Sequence, residues 1–253
     1  MAQRPQFFTV DYSHPLARGL VFAGLGRGQG GVRYLDSSSR KNHGTLTGMT
    51  PASDWVWIPE LGRWGLTHTT KDTYVVCPRQ FSATDRPLTC SFWYKPRVTN
   101  IARHWIVSGN QSSVPDFGIT LGRKLIDSQY QFGLYSGSYT YSNYLTWRGG
   151  FQHFAVSWDT DDACRFYVDG VLNSASTRAD RSTGSGNAML GRYYTGTTTF
   201  LMDGVLCDFM FHAGRALSTP EIATLANRSD PMLSGMIKPI GHPANIYDLE
   251  GIR

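Results

Sequence analysis

Short apolar runs separated by turn-forming residues recur along most of the chain, and several of them alternate with a period of two. In residues 88–94, Leu, Cys, Phe and Tyr fall on one face and Thr, Ser and Trp on the other. This pattern predicts a half-buried strand of an antiparallel sheet. Further strands are predicted at residues 19–23, 55–58, 74–77, 104–108, 118–121, 129–135, 151–158, 164–168, 188–190 and 204–211.

A tight hairpin is predicted where Asp169-Gly170 separates the apolar pairs 167–168 and 171–172. Asp and Gly both tolerate the positive φ angles of a two-residue hairpin turn. A longer hairpin loop, rich in Asp, is predicted at residues 159–162. The strands on either side of each turn are therefore expected to be antiparallel neighbours.

One short helix is predicted near the C-terminal end of the strand-rich region. Ser218 and Glu221 have the spacing of a capping box, in which each side chain satisfies a backbone amide at the helix start. Apolar residues follow at helical spacing, and the helix is expected to end near Asn227.

The composition is that of one β-rich domain. Hydrophobic residues make up 41% of the 253-residue chain, which is enough to form a core. Charged residues make up 17%. The acidic residues are 16 Asp and 3 Glu, a balance that favours turns over helices. The net charge is +5, but the basic residues are scattered, so a nucleic-acid partner is not predicted. No apolar run reaches the roughly 18 residues of a membrane helix.

The four cysteines (Cys77, Cys90, Cys164 and Cys207) show no CxxC spacing. Cys90 and Cys164 lie inside predicted strands, where a free cysteine acts as a small apolar side chain. The chain also begins without the apolar run of a secretory signal. Reduced core thiols and synthesis in a cytoplasm are therefore expected.

Both ends of the chain are predicted to be extended. Residues 1–18 form an N-terminal arm, residues 19–228 the domain, and residues 229–253 a tail rich in Pro and Gly. Large apolar residues in the arm and the tail are predicted to dock on partner proteins or on other copies of the chain. They are Phe7, Phe8, Tyr12, Met236, Ile237, Ile240, Ile246 and Tyr247.

A series of short motifs occurs in a fixed order between residues 18 and 228. They are RGLVF at 18–22, LDSSS at 35–39, NHGTLTG at 42–48, TYV at 73–75, LTCSFWYKP at 88–96, FQHFAVSWD at 151–159, RFYVDG at 165–170, LGR at 190–192 and RALSTPEI at 215–222. Together they resemble laminin-G-like domains of the concanavalin A-like jelly-roll family. The resemblance implies an all-β fold, a two-sheet antiparallel jelly-roll sandwich with one short C-terminal helix.

The family includes glycan binders, adhesion modules, a few glycoside hydrolases and virion or surface proteins, so the fold alone does not give the function. Hydrolases on this fold hold two Glu and an Asp on one strand, whereas Glu60, Glu221 and Glu250 are far apart in this sequence. The chain is therefore predicted not to be an enzyme. By resemblance a calcium ion is a possible ligand, with Asp36 and Asp72 as its candidate ligands.

An aromatic segment at residues 135–147 has the Tyr, Ser and Gly mixture of recognition surfaces. Its candidate ligand-binding residues are Tyr135, Tyr139, Tyr141, Tyr144 and Trp147. The alternative is a hairpin with Tyr and Thr on its solvent face, which needs no ligand.

Two functions remain open. The first is a virion surface protein of a phage, for capsid decoration or in the tail, made in the host cytoplasm and docked through its arms. The second is a carbohydrate-binding, lectin-like module for cell-surface glycans, which would act outside the cell. Neither function implies a membrane segment.

Overall fold

The structure, a computed structural model, describes residues 8–26, 31–69, 72–79, 81–97, 103–108, 117–124, 129–177, 187–193, 202–227 and 237–239. Its strands are β1 Phe8–Val10, β2 Leu20–Gly24, β3 Arg33–Tyr34, β4 Gly44–Thr47, β5 Trp55–Ile58, β6 Arg63–His68, β7 Tyr74–Cys77, β8 Leu88–Pro96, β9 Arg103–Ser108, β10 Gly118–Lys124, β11 Gln129–Ser136, β12 Ser138–Tyr141, β13 Leu145–Thr146, β14 Gln152–Trp158, β15 Ala163–Val168, β16 Val171–Thr177, β17 Ala188–Leu190, β18 Gly204–Ala213 and β19 Ile237–Pro239. Its helices are α1 Pro51–Asp54 and α2 Thr219–Ala226, with 3₁₀ turns at Pro15–Ala17 and Ala83–Asp85.

All strands except β1 and β19, which form a separate pair, belong to two antiparallel sheets that pack face to face. Sheet I has nine strands in the order β12-β11-β10-β9-β17-β7-β4-β3, with β13 also paired to β11. Sheet II has eight strands in the order β16-β15-β14-β8-β18-β6-β5, with β2 also paired to β18. This arrangement confirms the predicted jelly-roll sandwich. No helix in the described ranges is long and apolar enough to cross a membrane.

Phenylalanine rings from the two sheets interlock to form the centre of the core. Phe132 of sheet I lies 5.9 Å from Phe92, 5.5 Å from Phe154 and 5.4 Å from Phe166, all in sheet II, measured between ring centroids. Edge-to-face pairs at this spacing stabilise a core beyond the burial of their area. The interlocking rings hold the sheets in register.

The local predictions for strands and turns are confirmed. Every predicted strand is present, with bounds within three residues of the prediction. Asp169 and Gly170 have φ angles of +50° and +80°, as a tight turn between β15 and β16 requires. The carboxylate of Glu221 accepts hydrogen bonds from the Ser218 backbone amide (2.9 Å) and hydroxyl (2.8 Å) at the start of α2. All four cysteines are free and buried.

The prediction that β8 is half buried is wrong, because residues 88–94 are buried on both faces. A second apolar layer covers the outer face of sheet II. It is built from the N-terminal segment, the residues before α2 and α2 itself, including Leu16, Leu217 and Ile222. Within this layer, the Thr89 hydroxyl of β8 accepts from the Leu217 amide at 2.8 Å.

Strand β6 was not predicted, because Arg63, Gly65 and His68 interrupt its apolar pattern. In the structure Arg63 and His68 are buried, and Arg63 forms an ion pair with Asp208 of β18. Gly65 gives room to its neighbours, since a Cβ there would lie 2.6 Å from Ile58 Cδ1. The strand depends on partners distant in sequence.

A strand from the N-terminal arm pairs with a strand from the C-terminal tail. Strand β1 pairs with β19 in antiparallel register, with Val10 opposite Ile237. Val10 is buried in the apolar layer that covers sheet II. The end of the N-terminal arm is therefore packed against the domain of its own chain.

Candidate functional site

Three of the five predicted aromatic ligand-binding residues lie together on the outer face of sheet I. The Tyr135 and Tyr139 rings are 4.8 Å apart, and the Tyr139 and Tyr141 rings stack at 5.3 Å. The fully buried Trp105 contacts Tyr135 at 5.9 Å and Tyr139 at 6.3 Å. We call Tyr135, Tyr139, Tyr141 and Trp105 the tyrosine cluster.

The rings of the tyrosine cluster contact one another, and Gly118 and Gly133 leave room for them. A Cβ at Gly118 would lie 2.1 Å from Trp105 Cζ3, and one at Gly133 would lie 2.8 Å from Tyr141 Cδ1. One face of the Tyr139 ring and one face of the Tyr141 ring are stacked on each other, and Tyr135 meets Tyr139 edge to face. This arrangement favours the ligand-free interpretation for the cluster.

Trp147 lies apart from the tyrosine cluster and packs on the core. Its ring is 6.4 Å from Tyr94, 5.7 Å from Tyr130 and 6.2 Å from Phe154. These contacts give Trp147 a packing role at the border of the sandwich.

Tyr144 lines a cleft of about 380 Å³ between the segment 144–152 and the β15–β16 hairpin. We call it the hairpin cleft. Its volume is in the range of small-ligand sites. Its lining residues are Tyr144, Leu145, Thr146, Arg148, Gln152, Val168, Asp169, Val171, Leu172 and Asn173.

Some of the residues that line the hairpin cleft are exposed and apolar. Tyr144 is 48% exposed, Val171 69% and Leu172 45%. In the part of the chain that the structure describes, only Tyr12, Val32 and Trp57 are other large apolar side chains with comparable exposure. Single exposed apolar residues are ordinary, but several in one concave surface mark a binding site.

Hydrogen bonds fix both walls of the hairpin cleft. The Asp169 carboxylate accepts from the His153 amide at 2.9 Å and from Gln152 Nε2 at 3.3 Å. On the other side, Asn143 Nδ2 donates to the Asn173 carbonyl at 3.0 Å. The cleft is therefore largely pre-formed.

A register shift between Phe166 and Tyr167 places Leu172 opposite Tyr167 and Ser174 opposite Phe166. Asn173 is thus the extra residue of a β-bulge, a feature that re-aims side chains next to binding sites.

Sequence reasoning identified only Tyr144 among the residues of the hairpin cleft. It missed Arg148, Gln152, Val171, Leu172 and Asn173, because they belong to segments that meet only in the folded chain. The one available signal was the Asp169-Gly170 turn, which places two apolar residues directly after it.

Both carboxylate oxygens of the predicted calcium ligand Asp36 accept hydrogen bonds from the protein itself. Its Oδ1 accepts from the amides of Ala23 (2.9 Å) and Ser38 (2.8 Å). Its Oδ2 accepts from the Ser38 hydroxyl (2.7 Å) and the Asn42 amide (2.8 Å). A carboxylate has about four acceptor positions, so Asp36 does not fit a calcium site.

Asp72 lies in an exposed turn before β7. Among the described residues, no group of three or more His, Cys, Asp and Glu side chains is arranged to hold a metal ion. We therefore assign no calcium ion to these two residues.

Parts of the predicted docking arms lie outside the described residues, namely Phe7, Met236, Ile240, Ile246 and Tyr247. Phe8 and Ile237 lie in the paired strands β1 and β19. The Tyr12 hydroxyl donates to the Leu20 carbonyl at 3.2 Å and accepts from the Ser39 amide at 2.7 Å. These bonds hold Tyr12 against its own domain.

The Asp-rich hairpin loop at residues 159–162 has local roles. Asp159 accepts from the Thr160 amide at 2.7 Å and Asp161 from the Ala163 amide at 3.0 Å, while Asp162 forms an ion pair with Arg86. These are turn-stabilising bonds.

Three buried histidines have a low pKa because burial disfavours their charged form. The pKa is about 4 in His68, about 3 in His153 and about 4 in His212.

Solved structures share this fold at low sequence identity. The chain matches domain 4 of AbnA, a GH43 extracellular arabinanase from Geobacillus stearothermophilus, in complex with arabinotriose, with 16% identity and a TM-score of 0.57 over 82% of this chain and 98% of that one. It matches the native heptameric SAP-like pentraxin from Limulus polyphemus with 20% identity and a TM-score of 0.52 over 61% of this chain and 75% of that one.

A third structural match is the receptor binding domain of botulinum neurotoxin type G, with 14% identity and a TM-score of 0.57 over 82% of this chain and half of that one (50%). These likenesses show the fold. No curated protein is significantly similar to the chain in sequence.

The sequence model of one protein family, Laminin_G_3 of the concanavalin A-like lectin/glucanases superfamily, matches residues 69–223. This range covers more than half of the chain and includes strands from both sheets, from β7 to β18. The chain therefore belongs to the Laminin_G_3 family of the concanavalin A-like lectin/glucanase superfamily.

Proposed function

We propose that this protein is a non-catalytic glycan-recognition module and that the hairpin cleft is its binding site. The observation that carries the proposal is the combination in one cleft of the exposed Tyr144 and Val171 with polar Arg148 and Gln152. In ligand sites, a small number of placed polar groups fix the orientation of the ligand.

A sugar ring suits such a cleft because it has apolar C–H faces and a rim of hydroxyl groups. The Tyr144 ring offers a flat apolar surface with a hydroxyl at its end. Arg148 offers up to five N–H donors, and it forms no ion pair in the part of the chain that the structure describes. Apolar and polar parts of a sugar therefore each meet a matching group.

The comparisons support recognition as the class of function. Domain 4 of the arabinanase, which this chain matches over nearly its full length, was solved with arabinotriose. A toxin receptor binding domain has the same fold. The fold thus serves binding in proteins that differ widely in sequence.

The carboxylates of the cleft support a non-catalytic role. Glycoside hydrolysis uses two carboxyl groups about 5–5.5 Å or about 6.5–9.5 Å apart. Asp169 is the one acidic residue that lines the hairpin cleft, and its two oxygens accept hydrogen bonds from His153 and Gln152. A second carboxylate is needed for the reaction, and none occurs among the described residues that line this cleft.

The test is a glycan array followed by titration calorimetry with the best ligand. We expect Tyr144→Ala to weaken binding at least tenfold, because the variant loses the stacking surface. Tyr141→Ala, in the tyrosine cluster, is the matched control and should bind as the unmodified protein does. A clean array, or loss of binding in Tyr141→Ala alone, would overturn the proposal.

A second proposal concerns where the module works: on the surface of a phage virion, as a decoration or tail-associated protein. The supporting observation is the β1–β19 pair, which brings segments from both ends of the chain to one place. Strand pairs of this kind can add a strand from a partner protein. Synthesis in the host cytoplasm is part of this proposal.

The test of the virion proposal is deletion of residues 232–253, which removes β19. The circular dichroism spectrum of the shortened domain should keep its β signal, while incorporation into particles should be lost. Normal incorporation of the shortened protein would contradict the proposal.

A further inference from the structure

We infer that two copies of this chain pair through β5, the strand at one edge of sheet II, and form a dimer with two-fold symmetry. In this dimer the two β5 strands run antiparallel and join both copies of sheet II into one continuous sheet. Three features of β5 favour a second copy as its partner: the direction of its backbone groups, its apolar surface and its symmetric sequence.

The backbone N–H and C=O groups of Trp57 point to the outer edge of β5. Trp57 lies opposite Trp64 of β6. The Trp64 amide donates to the Gly26 carbonyl at 2.6 Å, and the Trp64 carbonyl accepts from Cys207 Sγ of β18 at 3.3 Å. Both Trp64 groups therefore point away from β5, so Trp57 and Trp64 are a non-hydrogen-bonded pair. Trp55, two residues before Trp57, has the same orientation.

This edge has none of the usual protection against pairing with another chain. Edge strands in soluble proteins are commonly protected by charged residues, by proline or by a covering segment. The strand Trp55–Ile58 contains neither a charged residue nor proline. Within the described ranges, no group bonds to the outward-pointing backbone of Trp57. At the other edge of sheet II, by contrast, Asn143 donates to the Asn173 carbonyl and to the Ser174 hydroxyl.

On one face of β5, an exposed indole extends the core to the surface. Trp55 belongs to the central core cluster, and Trp57 lies on the same face because side chains alternate along a strand. The Trp57 ring is 5.7 Å from the Trp64 ring and is still 45% exposed. A partner strand beside β5 would remove this indole from water.

On the other face of β5, Val56 and Ile58 line an apolar groove of about 300 Å³, in which seven of the ten lining residues are apolar. A Cβ at Gly65 would lie 2.6 Å from both Ile58 Cδ1 and Val205 Cγ1. The side chains of Ile58 and Val205 therefore meet above Gly65 on the outer face of sheet II. Apolar surface thus continues around both faces of β5, which is typical of a protein interface.

The sequence of β5 is symmetric about Val56, which favours a second copy over an unrelated strand. With the two-fold axis at Val56, Trp55 of each copy lies opposite Trp57 of the other. These residues carry the outward-pointing backbone groups, so each such pair exchanges two hydrogen bonds. The two Val56 residues then face each other as a non-hydrogen-bonded pair. A two-fold interface requires this kind of self-complementary surface.

A cross-linking experiment tests the register. In a non-hydrogen-bonded pair the Cα atoms are about 4.5 Å apart, which is within the range of roughly 4.4–6.8 Å for a disulfide. Val56→Cys should therefore form a disulfide-linked dimer under mild oxidation of the full-length protein, seen on a non-reducing gel. The four native cysteines are buried, so the new thiol accounts for the band.

Val171→Cys is the matched control, because Val171 is 69% exposed and lies in β16, the other edge strand of sheet II. It should give no cross-linked dimer at the same protein concentration. Equal cross-linking of both variants would overturn the inference.

Light scattering coupled to size-exclusion chromatography tests the dimer without cross-linking. The unmodified protein should have twice the mass of one chain at micromolar concentration, and Trp57→Lys should have the mass of one chain with an unchanged circular dichroism spectrum. Val171→Lys, with the same charge added at the other edge, should remain a dimer. A monomeric unmodified protein, or a dimer that persists in Trp57→Lys, would overturn the inference.

Deletion of residues 232–253 separates this interface from association through the terminal segments. The shortened protein should still be a dimer and should still require Trp57. Loss of the dimer on deletion would show that the tail, and not β5, joins the copies. Dimer formation only after deletion would show that the tail covers β5 in the full chain. Either result would overturn the inference.

Discussion

Arg63 and Asp208 form an ion pair between β6 and β18 in which the side chains are only 4% and 6% exposed. Asp208 has a φ of +48° and lies at the register shift where β18 leaves and rejoins β8. Its Oδ1 also accepts from the Gly26 amide at 2.9 Å. A single carboxylate thus connects strand β6, a bulge in β18 and the loop at Gly26.

The first prediction follows from the burial of this pair. Asp208→Asn should lower the free energy of unfolding by about 3–5 kcal/mol, because it leaves the Arg63 charge buried without a counter-charge. Asn tolerates the positive φ, so backbone strain should add little. Urea unfolding followed by tryptophan fluorescence measures the loss.

The control for this prediction is the double variant Arg63→Met with Asp208→Asn, which has no unpaired buried charge. We expect it to be more stable than Asp208→Asn alone. A double variant that is less stable than the single one would show that the charge is not the cause.

The second prediction concerns acid stability. Burial lowers the pKa of His153 to about 3, and neither ring nitrogen has a hydrogen-bond partner among the described residues. The unfolded chain, with an ordinary pKa of 6.5, binds this proton first. The stability contributed by neutral His153 is therefore complete above pH 6.5 and is lost as the pH falls towards 3.

The free energy of unfolding should fall by about 1.4 kcal/mol per pH unit because of His153, or by about 2 kcal/mol between pH 6.5 and pH 5. His153→Leu, of similar volume, should remove this part of the pH dependence. Urea midpoints at pH 7, 6 and 5 measure the slope for both proteins. Equal slopes would contradict a buried neutral His153.

The third prediction concerns the hairpin turn. A Cβ at Gly170 would lie 2.9 Å from the Ala223 Cα of α2, and φ is +80°. Gly170→Ala should therefore lower the free energy of unfolding by about 1–3 kcal/mol, the cost of a strained backbone position. It should also weaken ligand binding in the hairpin cleft, since the turn carries Asp169 and Val171.

Gly150→Ala is the matched control, because nothing lies within 4 Å of a Cβ there and its φ is not in the left-handed region. Chemical unfolding and ligand titration of both variants give the comparison. A stable Gly170→Ala variant with full affinity would show that the turn tolerates a side chain.

The fourth prediction concerns the start of α2. Glu221 accepts from the Ser218 amide, and it also forms an ion pair with Arg215. Glu221→Ala should lower the free energy of unfolding by about 1–2 kcal/mol, comparable to the loss of a helix cap. Glu221→Gln keeps an acceptor for the Ser218 amide, so it should lower the free energy of unfolding less than the alanine variant does. Thermal unfolding ranks the two.

Local features of this protein were readable from its sequence. The strands with alternating residues, the Asp169-Gly170 turn and the capping box of Ser218 and Glu221 depend on neighbours a few residues away. The order of the motifs indicated the jelly-roll sandwich. The strands, the turn and the capping box each have a physical cause within one segment, whereas the sandwich was implied by the resemblance to laminin-G-like domains.

The candidate site was decided by tertiary structure. Tyr135 to Trp147 form one aromatic segment in the sequence, but folding assigns the tyrosine cluster to the face of sheet I, Trp147 to the core and Tyr144 to the hairpin cleft. The cleft exists because residues 144–152 pack beside the β15–β16 hairpin.

Tertiary structure also decided the burial of β8 and of Arg63. A strand's pattern shows which residues alternate, but what covers each face depends on segments far away in the chain. Sequence alone determined where this chain makes strands and turns, and long-range packing determined which surfaces remain open to a ligand.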